Sequence, residues 1–570
     1  MKSLIIIFKI IGGKYKDIVM LTLLAFFASI AEVFSIGMII PFMSLLADPS
    51  AITQNYPFMM LLISDGSEDE VITKVTILFI LATVFSAAVK IYLLHKQTSY
   101  SYCLGTKLST MIFSGALKLP YSVQHKQKGS DLAAMAFHKS NQMVQTAFMP
   151  LLGLVSSVLM ILFVSVFLIN IDVKIYMTIL VFLGIGYSVT ILVTRRKIKN
   201  IGSTISGEES GLMKLILESK NSAKDIKLMG MEKKFRDFFY LKLLPLNKKR
   251  SSVVLISRTP KYIIEVIFIL LIVLIVLQVE ASNIPALLPT LAVMALAGQK
   301  LLPQTQQVYN NIILLGSSRS HVKELRDALE STAFIKDFEV KGVDSKLDGC
   351  ISLDNVSFSY GNKKILEGVS FKACPGELIA VTGKSGSGKS TLLDIAMGLL
   401  RPDEGSLRIN GESIDSSGGI RDYQSGVAHV PQAPFVFDAT IAENVAFEWC
   451  QEKIKVDRVK EALAVAGLLD EVKSKPDGIW QKVGDNGALL SGGQRQRLSI
   501  ARAIYLNKKI YIMDEVTSAI DAEAEKNLYL ALKRIATSSG KIFLFVTHSQ
   551  IADTFMDKSF LLSHTKLIEK

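Results

Sequence analysis

The chain has 570 residues, 50% of them hydrophobic, and its mean hydropathy is positive at +0.37. This composition is too apolar for an ordinary pair of soluble domains, and the length is too great for a single domain. The net charge of +13 comes from basic residues that lie mostly in loops between apolar runs, which is typical of membrane topology and argues against a nucleic-acid partner.

The first half of the chain is dominated by apolar runs. The amino terminus carries Lys2 and then a short apolar run that Lys9 interrupts, without a small-residue cleavage site. This pattern predicts a helix on the inner membrane surface rather than a cleaved signal. A membrane span needs about 20 mostly apolar residues. The candidate spans are 18–43, 75–94, 147–170, 174–194, 260–278 and 284–302.

The connections between these spans predict their orientation. Segments 95–146 and 195–259 are long and basic, whereas the opposite connections carry acidic residues such as Asp172 and Glu280. Because lysine and arginine mark the cytoplasmic side, both termini are expected in the cytoplasm. The basic segments contain few helix breakers, so each predicts helices that reach about 35–40 Å beyond the membrane. Their breaks, near Tyr121 and Gly230, are expected to contact a cytoplasmic domain.

The pattern changes after the last span. Residues 303–335 predict a helical extension, and the polar stretch that follows predicts a linker at 336–350. From Ile351 onward, strands alternate with helices, as in an α/β domain. We therefore predict an all-α transmembrane domain of six helices at 1–335, followed by an α/β domain at 351–570.

The cysteines give no sign of a covalent or metal framework. They show no Cys-x-x-Cys spacing, and none falls in a predicted external loop, so neither a disulfide nor a zinc site is expected. The four positions are Cys103, Cys350, Cys374 and Cys450.

A glycine-rich loop follows a buried strand in the second half. The apolar run 378–382 predicts the strand, and Thr391 opens a helix. Between strand and helix, backbone N–H groups can point at phosphate oxygens. Lys389 is predicted to meet the β- and γ-phosphates of ATP, and the Ser390 hydroxyl to ligate Mg²⁺. The loop comprises Gly383, Lys384, Ser385, Gly386, Ser387, Gly388, Lys389 and Ser390.

Two carboxylates end a second apolar strand at 510–515. Asp514 is predicted to hold Mg²⁺, and Glu515 to polarise the water that attacks the γ-phosphate. About twenty residues earlier, the run Leu490-Ser491-Gly492-Gly493-Gln494 predicts a glycine-rich turn that opens a helix. An apolar strand that ends in two carboxylates is weak evidence by itself, and its position about twenty residues after the glycine-rich turn strengthens the assignment of both carboxylates.

With these motifs in order, residues 351–565 resemble the nucleotide-binding domain of ATP-binding-cassette (ABC) proteins, and the whole chain resembles the exporter half-transporters of that superfamily. The resemblance implies that Tyr360 stacks on adenine and that Gln432 touches Mg²⁺ and the attacking water. It also implies that His548 contacts the γ-phosphate. The signature residues that cap the ATP held by the other subunit would be Ser491, Gly492, Gly493 and Gln494.

The resemblance further implies a homodimer with two competent ATP sites, in which Asp521 lies in a loop that crosses the dimer interface. The expected activity is ATP hydrolysis coupled to transport in the inner membrane of a bacterium. Ile520 stands where the family usually has leucine, and Asp485 where exporters often have glutamate. Neither departure implies lost activity.

Only short and less specific sequence motifs bear on the identity of the cargo. Residues 55–63 form an apolar stretch in an acidic external loop, which predicts either a small helix on the outer membrane face or a packed loop. Such an external helix, together with Ala31-Glu32-Val33-Phe34 and Leu119-Pro120-Tyr121-Ser122, is similar to the lipid-linked oligosaccharide flippases of bacterial protein N-glycosylation. Glu32, deep in the first span, is expected to be paired or functional. Lys90 and Lys300 are expected to snorkel to the inner surface.

Three functions remain open from the sequence. The first is a flippase of a lipid-linked oligosaccharide or related amphipathic glycolipid, with membrane lipids as partners. The second is an exporter of peptides, drugs or simple lipids. The third is a membrane-anchored ATPase that regulates a partner.

Overall fold

The computed structural model of the chain describes residues 2–39, 41–42, 68–124, 129–170, 173–277, 284–333, 349–414, 417–517 and 520–570. These divide into two compact units, one of Met1–Leu119 with Val123–Lys336 and one of Pro120–Ser122 with Asp337–Lys570. The predicted external segment 55–63 and most of the predicted linker lie outside the described residues. The predicted domain limits therefore stay predictions.

The amino-terminal part is entirely helical where it is described, with π-helical turns at Ala134–Lys139 and Val144–Phe148. Its helices are α1 (Lys2–Ile10), α2 (Tyr15–Gly37), α3 (Glu68–Lys118), α4 (Tyr121–Gln124), α5 (Gly129–Ala133), α6 (Ser140–Met143), α7 (Met149–Ile169), α8 (Val173–Asn221), α9 (Ala223–Leu228), α10 (Glu232–Leu277), α11 (Ile284–Ser317) and α12 (Arg319–Ala333).

A helix covers most or all of each predicted span. By length and composition, three stretches of the described chain are apolar enough to cross a membrane, namely Tyr15–Gly37, Ile72–Lys118 and Asp131–Ile169. A shorter apolar helix occupies Leu180–Thr194. The 51 residues of α3 extend about 75 Å, well beyond the thickness of the hydrocarbon layer.

The ends of the long helices follow local chemistry. Helix α3 ends at Lys118, since the residue before Pro120 is disfavoured in a helix. The chain turns between α9 and α10 at Gly230, whose φ of +61° suits glycine. These are the two breaks that the sequence predicted. Ile7 of α1 and Ile11, just after the end of that helix, are buried in one cluster with Leu108 of α3 and Leu325 of α12.

The carboxy-terminal unit contains two sheets. The first is antiparallel with strand order β2-β1-β4-β5, and the second has the order β10-β9-β3-β8-β7-β6, in which all neighbours but β10 and β9 run parallel. The strands are β1 (Ile351–Tyr360), β2 (Lys363–Ala373), β3 (Leu378–Thr382), β4 (Glu404–Ile409), β5 (Glu412–Ser413), β6 (Val427–Val430), β7 (Ile510–Asp514), β8 (Ile542–Val546), β9 (Lys558–Ser563) and β10 (Lys566–Glu569).

Both faces of the parallel sheet are covered, which explains its continuous apolar strands. Successive side chains point to opposite faces. Tyr511 and Met513 of β7 join one core cluster, whereas Ile510 and Ile512 join the other. The helices of this unit are α13 (Lys389–Ala396), α14 (Ser417–Ser425), α15 (Ile441–Ala446), α16 (Val456–Val465), α17 (Leu469–Lys473), α18 (Gly492–Leu506), α19 (Ala522–Ser539) and α20 (Gln550–Asp553).

The expectation that no disulfide forms is wrong in one place. Cys350 and Cys374 are disulfide-bonded, whereas Cys103 and Cys450 are free and exposed. The β1 and β2 strands pair Ile351 with Ala373, so the flanking cysteines lie opposite each other. Spacing along the chain does not reveal this cross-strand proximity.

Candidate functional site

The glycine loop joins a buried strand to the start of α13. Gly388, at the N-cap of α13, has a φ of +103°, and a Cβ atom there would lie 2.9 Å from Ile365 Cγ2. At Gly383, a Cβ atom would lie 2.6 Å from the backbone oxygen of Leu562. Only glycine fits these positions without displacement. The loop therefore leaves the first N–H groups of α13 at a site that suits a phosphate group.

The side chain of Lys389 lies inside this loop and binds its backbone. Its side chain is only 7% exposed, and its ammonium donates hydrogen bonds to the carbonyls of Gly383 at 2.7 Å and Lys384 at 3.0 Å. The Ser387 hydroxyl is buried with no hydrogen-bond partner among the described residues. The Ser390 hydroxyl belongs to an exposed residue in the first turn of α13. The loop thus offers a cation, an unsatisfied donor and an oxygen ligand.

The two carboxylates of β7 lie in different environments. Burial raises the pKa of the Asp514 carboxyl, and the charge of Glu515 raises it further, while the Lys389 ammonium opposes both. Glu515 follows the strand with a φ of +48°, which is sterically costly for a residue with a Cβ atom. A cation bound beside Asp514 would offset the electrostatic cost of burying its negative charge. This carboxylate therefore suits the role of a magnesium ligand.

Residues that follow the two strands flanking β7 converge on Glu515. Gln432, after β6, donates its amide to Glu515 Oε2 at 2.5 Å. His548, after β8, places Nε2 3.5 Å from Glu515 Oε1. The carboxyl ends of adjacent parallel strands meet at one edge, which is where α/β sheets bind their ligands. The structure therefore brings together the three residues with predicted catalytic roles.

The predicted signature forms the start of α18. Ser491 is the N-cap: its hydroxyl accepts from the Gln494 N–H at 3.2 Å, and its own N–H donates to Gln494 Oε1 at 2.9 Å. The Gln494 amide also donates to Glu471 at 2.7 Å. Ser491 and Gly492 are exposed. These bonds form a capping box and do not involve the glycine loop.

Two other predicted residues lie on other elements of this unit. Tyr360 ends β1 with 55% of its side chain exposed, and its ring meets that of Phe358 edge-on at 5.0 Å. Asp521 caps α19 by accepting from the Ala524 N–H at 2.9 Å. Gln496 is a further buried polar residue, on the apolar face of α18, and no motif in the sequence marks it.

The helical unit contains a second candidate site, around Glu32. This carboxylate is 3% exposed and accepts from Lys300 at 2.8 Å and Ser86 at 2.6 Å, and it also forms an ion pair with Lys90. The paired role expected for Glu32 is thus observed. The snorkelling expected for Lys90 and Lys300 is wrong, because a carboxylate on another helix holds each ammonium.

Comparisons with known proteins agree with this geometry. Residues 366–518 match the family model described as ABC transporter. A protein of Burkholderia pseudomallei (strain 1710b) named ATP-dependent lipid A-core flippase is 41% identical over 229 residues, which is 40% of this chain and 37% of the relative. The protein of the same name from Cupriavidus metallidurans is 40% identical over 225 residues, or 39% and 37% of the two chains.

The fold has a counterpart among solved structures. A bacterial Atm1-family ABC exporter with ATP bound matches with a TM-score of 0.69 and 19% identity, over 97% of this chain and 94% of that one. The curated relatives match over little more than a third of their length, so they bear on the carboxy-terminal domain only. These findings support an ABC transporter domain at residues 366–518, and the chain as a whole has the fold of an ABC exporter.

Proposed function

We propose that this chain is half of a homodimeric, ATP-driven flippase of a bacterial inner membrane, with both termini in the cytoplasm. Its cargo would be an anionic amphipathic glycolipid, such as a lipid-linked oligosaccharide, moved from the inner to the outer leaflet. The observation that carries the proposal is the convergence of Gln432, Glu515 and His548 in an ABC domain that follows a membrane-type helical unit.

The ATP site supports phosphoryl transfer to water by positioning and charge neutralisation. Lys389 and the loop N–H groups would hold the phosphates, and Tyr360 would stack on the adenine. Mg²⁺, when bound, neutralises charge on the phosphates, and Ser390, Asp514 and Gln432 offer it the oxygen ligands that it prefers. Glu515 would take up the proton of the attacking water, oriented by its hydrogen bond from Gln432.

The exposed signature supports a shared site. The capping bonds join Ser491 to Gln494 of the same chain, and Ser491 and Gly492 are exposed at the amino end of α18. Each chain has one set of motifs, so a second copy would complete the cage around the nucleotide. ATP would then hold the two domains together, and hydrolysis would release them.

Mixing two inactive variants tests this arrangement. A Lys389→Ala chain lacks a working loop, and a Ser491→Arg chain lacks a working signature. Their heterodimer contains one intact pair, so we expect it to regain about half of the parental ATPase rate if the two sites act independently. The measurement is phosphate release from purified heterodimers carrying two affinity tags. Isolated heterodimers as inactive as either homodimer would contradict the shared site.

The charge cluster supports an anionic cargo. Lys90 and Lys300 bring two positive charges to one negative charge, and their side chains remain 39% and 40% exposed. A net positive charge within the spans attracts a phosphate-bearing head group. The lipid tail could stay in the bilayer while the protein shelters the head group. The relatives' name, ATP-dependent lipid A-core flippase, supports a lipid and leaves the oligosaccharide as the finer proposal.

The external segment 55–63 gives a test of this cargo. Replacing Phe58, Met59, Leu61 and Leu62 by serine removes the apolar side chains that we propose to engage the emerging lipid. We expect flipping of a fluorescent lipid-linked oligosaccharide in proteoliposomes to fall at least about tenfold, because each buried CH₂ contributes about 0.8 kcal/mol. Basal ATPase should survive, since these residues are remote in sequence from the ATP motifs.

The matched control replaces Thr53 and Gln54, polar residues of the same loop, by serine and should leave flipping unchanged. Normal flipping by the apolar-to-serine variant would remove the role of the segment. If the parental protein flips no lipid-linked oligosaccharide, a panel of glycolipids, simple lipids, peptides and drugs in the same vesicles separates the other cargoes. ATPase without movement of any of them would favour a regulatory role.

A further inference from the structure

Gln496 lies on the buried face of α18 and has no role in the function proposed above. Its side chain is 3% exposed. The side-chain amide Nε2 donates a hydrogen bond of 2.9 Å to the backbone carbonyl of Glu515. A buried amide that reaches the backbone of the proposed catalytic carboxylate is placed to control where that carboxylate lies.

The carbonyl that Gln496 holds belongs to a strained residue. Glu515 has a φ of +48°, and a residue with a Cβ atom keeps that conformation only where its surroundings enforce it. One constraint is the Glu515 N–H, which donates to the carbonyl of Val546 at 2.9 Å. A further constraint is the bond from Gln496 to the Glu515 carbonyl oxygen, whose position depends on both φ and ψ of this residue. Without that bond, less of the surrounding structure holds the φ of Glu515 in the left-handed region.

The direction of the carboxylate depends on this backbone. Its two oxygens face different partners, with Oε2 accepting from Gln432 at 2.5 Å and Oε1 lying 3.5 Å from His548. A change of φ at Glu515 swings the Cα–Cβ bond and moves the oxygens away from both partners. The positions of both carboxylate oxygens relative to Gln432 and His548 therefore depend in part on the hydrogen bond from Gln496 to the Glu515 backbone.

From these contacts we infer that Gln496 is a positioning residue that fixes the backbone of Glu515 and thereby aims its carboxylate at the attacking water. The inference rests on the proposed function, in which Glu515 acts on ATP held by its own chain. It does not act through the signature, although Ser491 begins the same helix, because the bond to Glu515 leaves from the opposite, buried face of α18.

Two substitutions remove the donor and leave an apolar side chain of similar size. They are Gln496→Met and Gln496→Leu, neither of which can donate a hydrogen bond to the Glu515 carbonyl. We expect each to lower kcat for ATP hydrolysis by about ten- to a hundredfold, the usual cost of losing a supporting hydrogen bond behind a functional group. KM and the affinity for a fluorescent ATP analogue should stay within about twofold, since Gln496 donates its hydrogen bond to Glu515, which is predicted to act on water and not to hold the nucleotide.

Ser499→Ala is the matched control, because Ser499 is equally buried on α18 without a predicted role. It should keep the parental kcat. If Gln496→Met fails to bind the ATP analogue, it has not folded, and Gln496→Leu decides the test. A parental kcat in either folded variant would overturn the inference, whereas a parental protein without ATPase activity would instead overturn the proposed function.

Mixed dimers separate a role at Glu515 from a role at the signature. Pairing a Lys389→Ala chain with a Gln496→Met chain leaves one working loop, whose Glu515 has lost its support, so this dimer should be slow. The second dimer pairs a chain that carries both Lys389→Ala and Gln496→Met with an unmodified chain. Its working site combines the loop and Glu515 of the unmodified chain with the signature of the altered chain. That dimer should match a Lys389→Ala chain paired with an unmodified one. Equal slowing of both dimers would contradict the inference.

Discussion

Glu515→Gln is expected to abolish ATP turnover while leaving ATP binding intact. The amide keeps the hydrogen-bonding shape next to Gln432 but cannot take the proton of the attacking water. Loss of a general base usually costs roughly 10²–10⁴-fold in rate. Because hydrolysis would no longer release the two domains, the variant should also trap them in a closed dimer with ATP bound. Phosphate release and equilibrium binding of a fluorescent ATP analogue measure the two effects separately.

The control for this experiment is Glu461→Gln, which makes the same chemical change at an exposed position on α16. It should hydrolyse ATP at the parental rate. Parental turnover by Glu515→Gln itself would show that another residue polarises the water, and His548 would then be the next residue to replace. If Glu515→Gln lost ATP binding as well as ATP turnover, Glu515 would have a structural role in the segment that follows β7.

Removing both lysines of the membrane cluster is expected to destabilise the helical unit severely. Lys90→Met with Lys300→Met leaves the buried Glu32 carboxylate with Ser86 as its remaining described partner. An uncompensated buried charge costs about 3–5 kcal/mol. Glu32→Gln alone should cost less, about 1 kcal/mol, because both ammoniums are partly exposed and can be hydrated.

A triple variant combines Lys90→Met, Lys300→Met and Glu32→Gln. Adding Glu32→Gln to the double lysine variant removes the buried charge, so we expect it to restore most of the lost stability. Thermal unfolding of the protein in lipid nanodiscs, followed by intrinsic fluorescence, ranks the four proteins. Equal midpoints for the double variant and the parent would contradict the ion-pair network. A triple variant less stable than the double would show that Glu32 does more than balance the lysines.

Much of the ATP site was predictable because its motifs are local. The glycine loop is contiguous, and its strand–loop–helix context depends on apolar residues and φ angles within about twenty positions. The capping box of Ser491 and Gln494 spans a single helical turn. The long helices and their breaks at Pro120 and Gly230 likewise depend on neighbouring residues, so the sequence alone determined the class of fold and the reaction expected of it.

Contacts between distant segments were decided only by the tertiary structure. Gln432 and Glu515 are separated by 83 positions, and Glu32 and Lys300 by 268. No local pattern reports which faces of two helices meet, so Lys300 looked like a snorkelling side chain although it binds a carboxylate. For the same reason, the hydrogen bond from Gln496 to Glu515 and the cross-strand pair Cys350–Cys374 had no sequence signal. Apolar periodicity and turn chemistry act within a segment, whereas packing between segments determines which polar groups share a buried site.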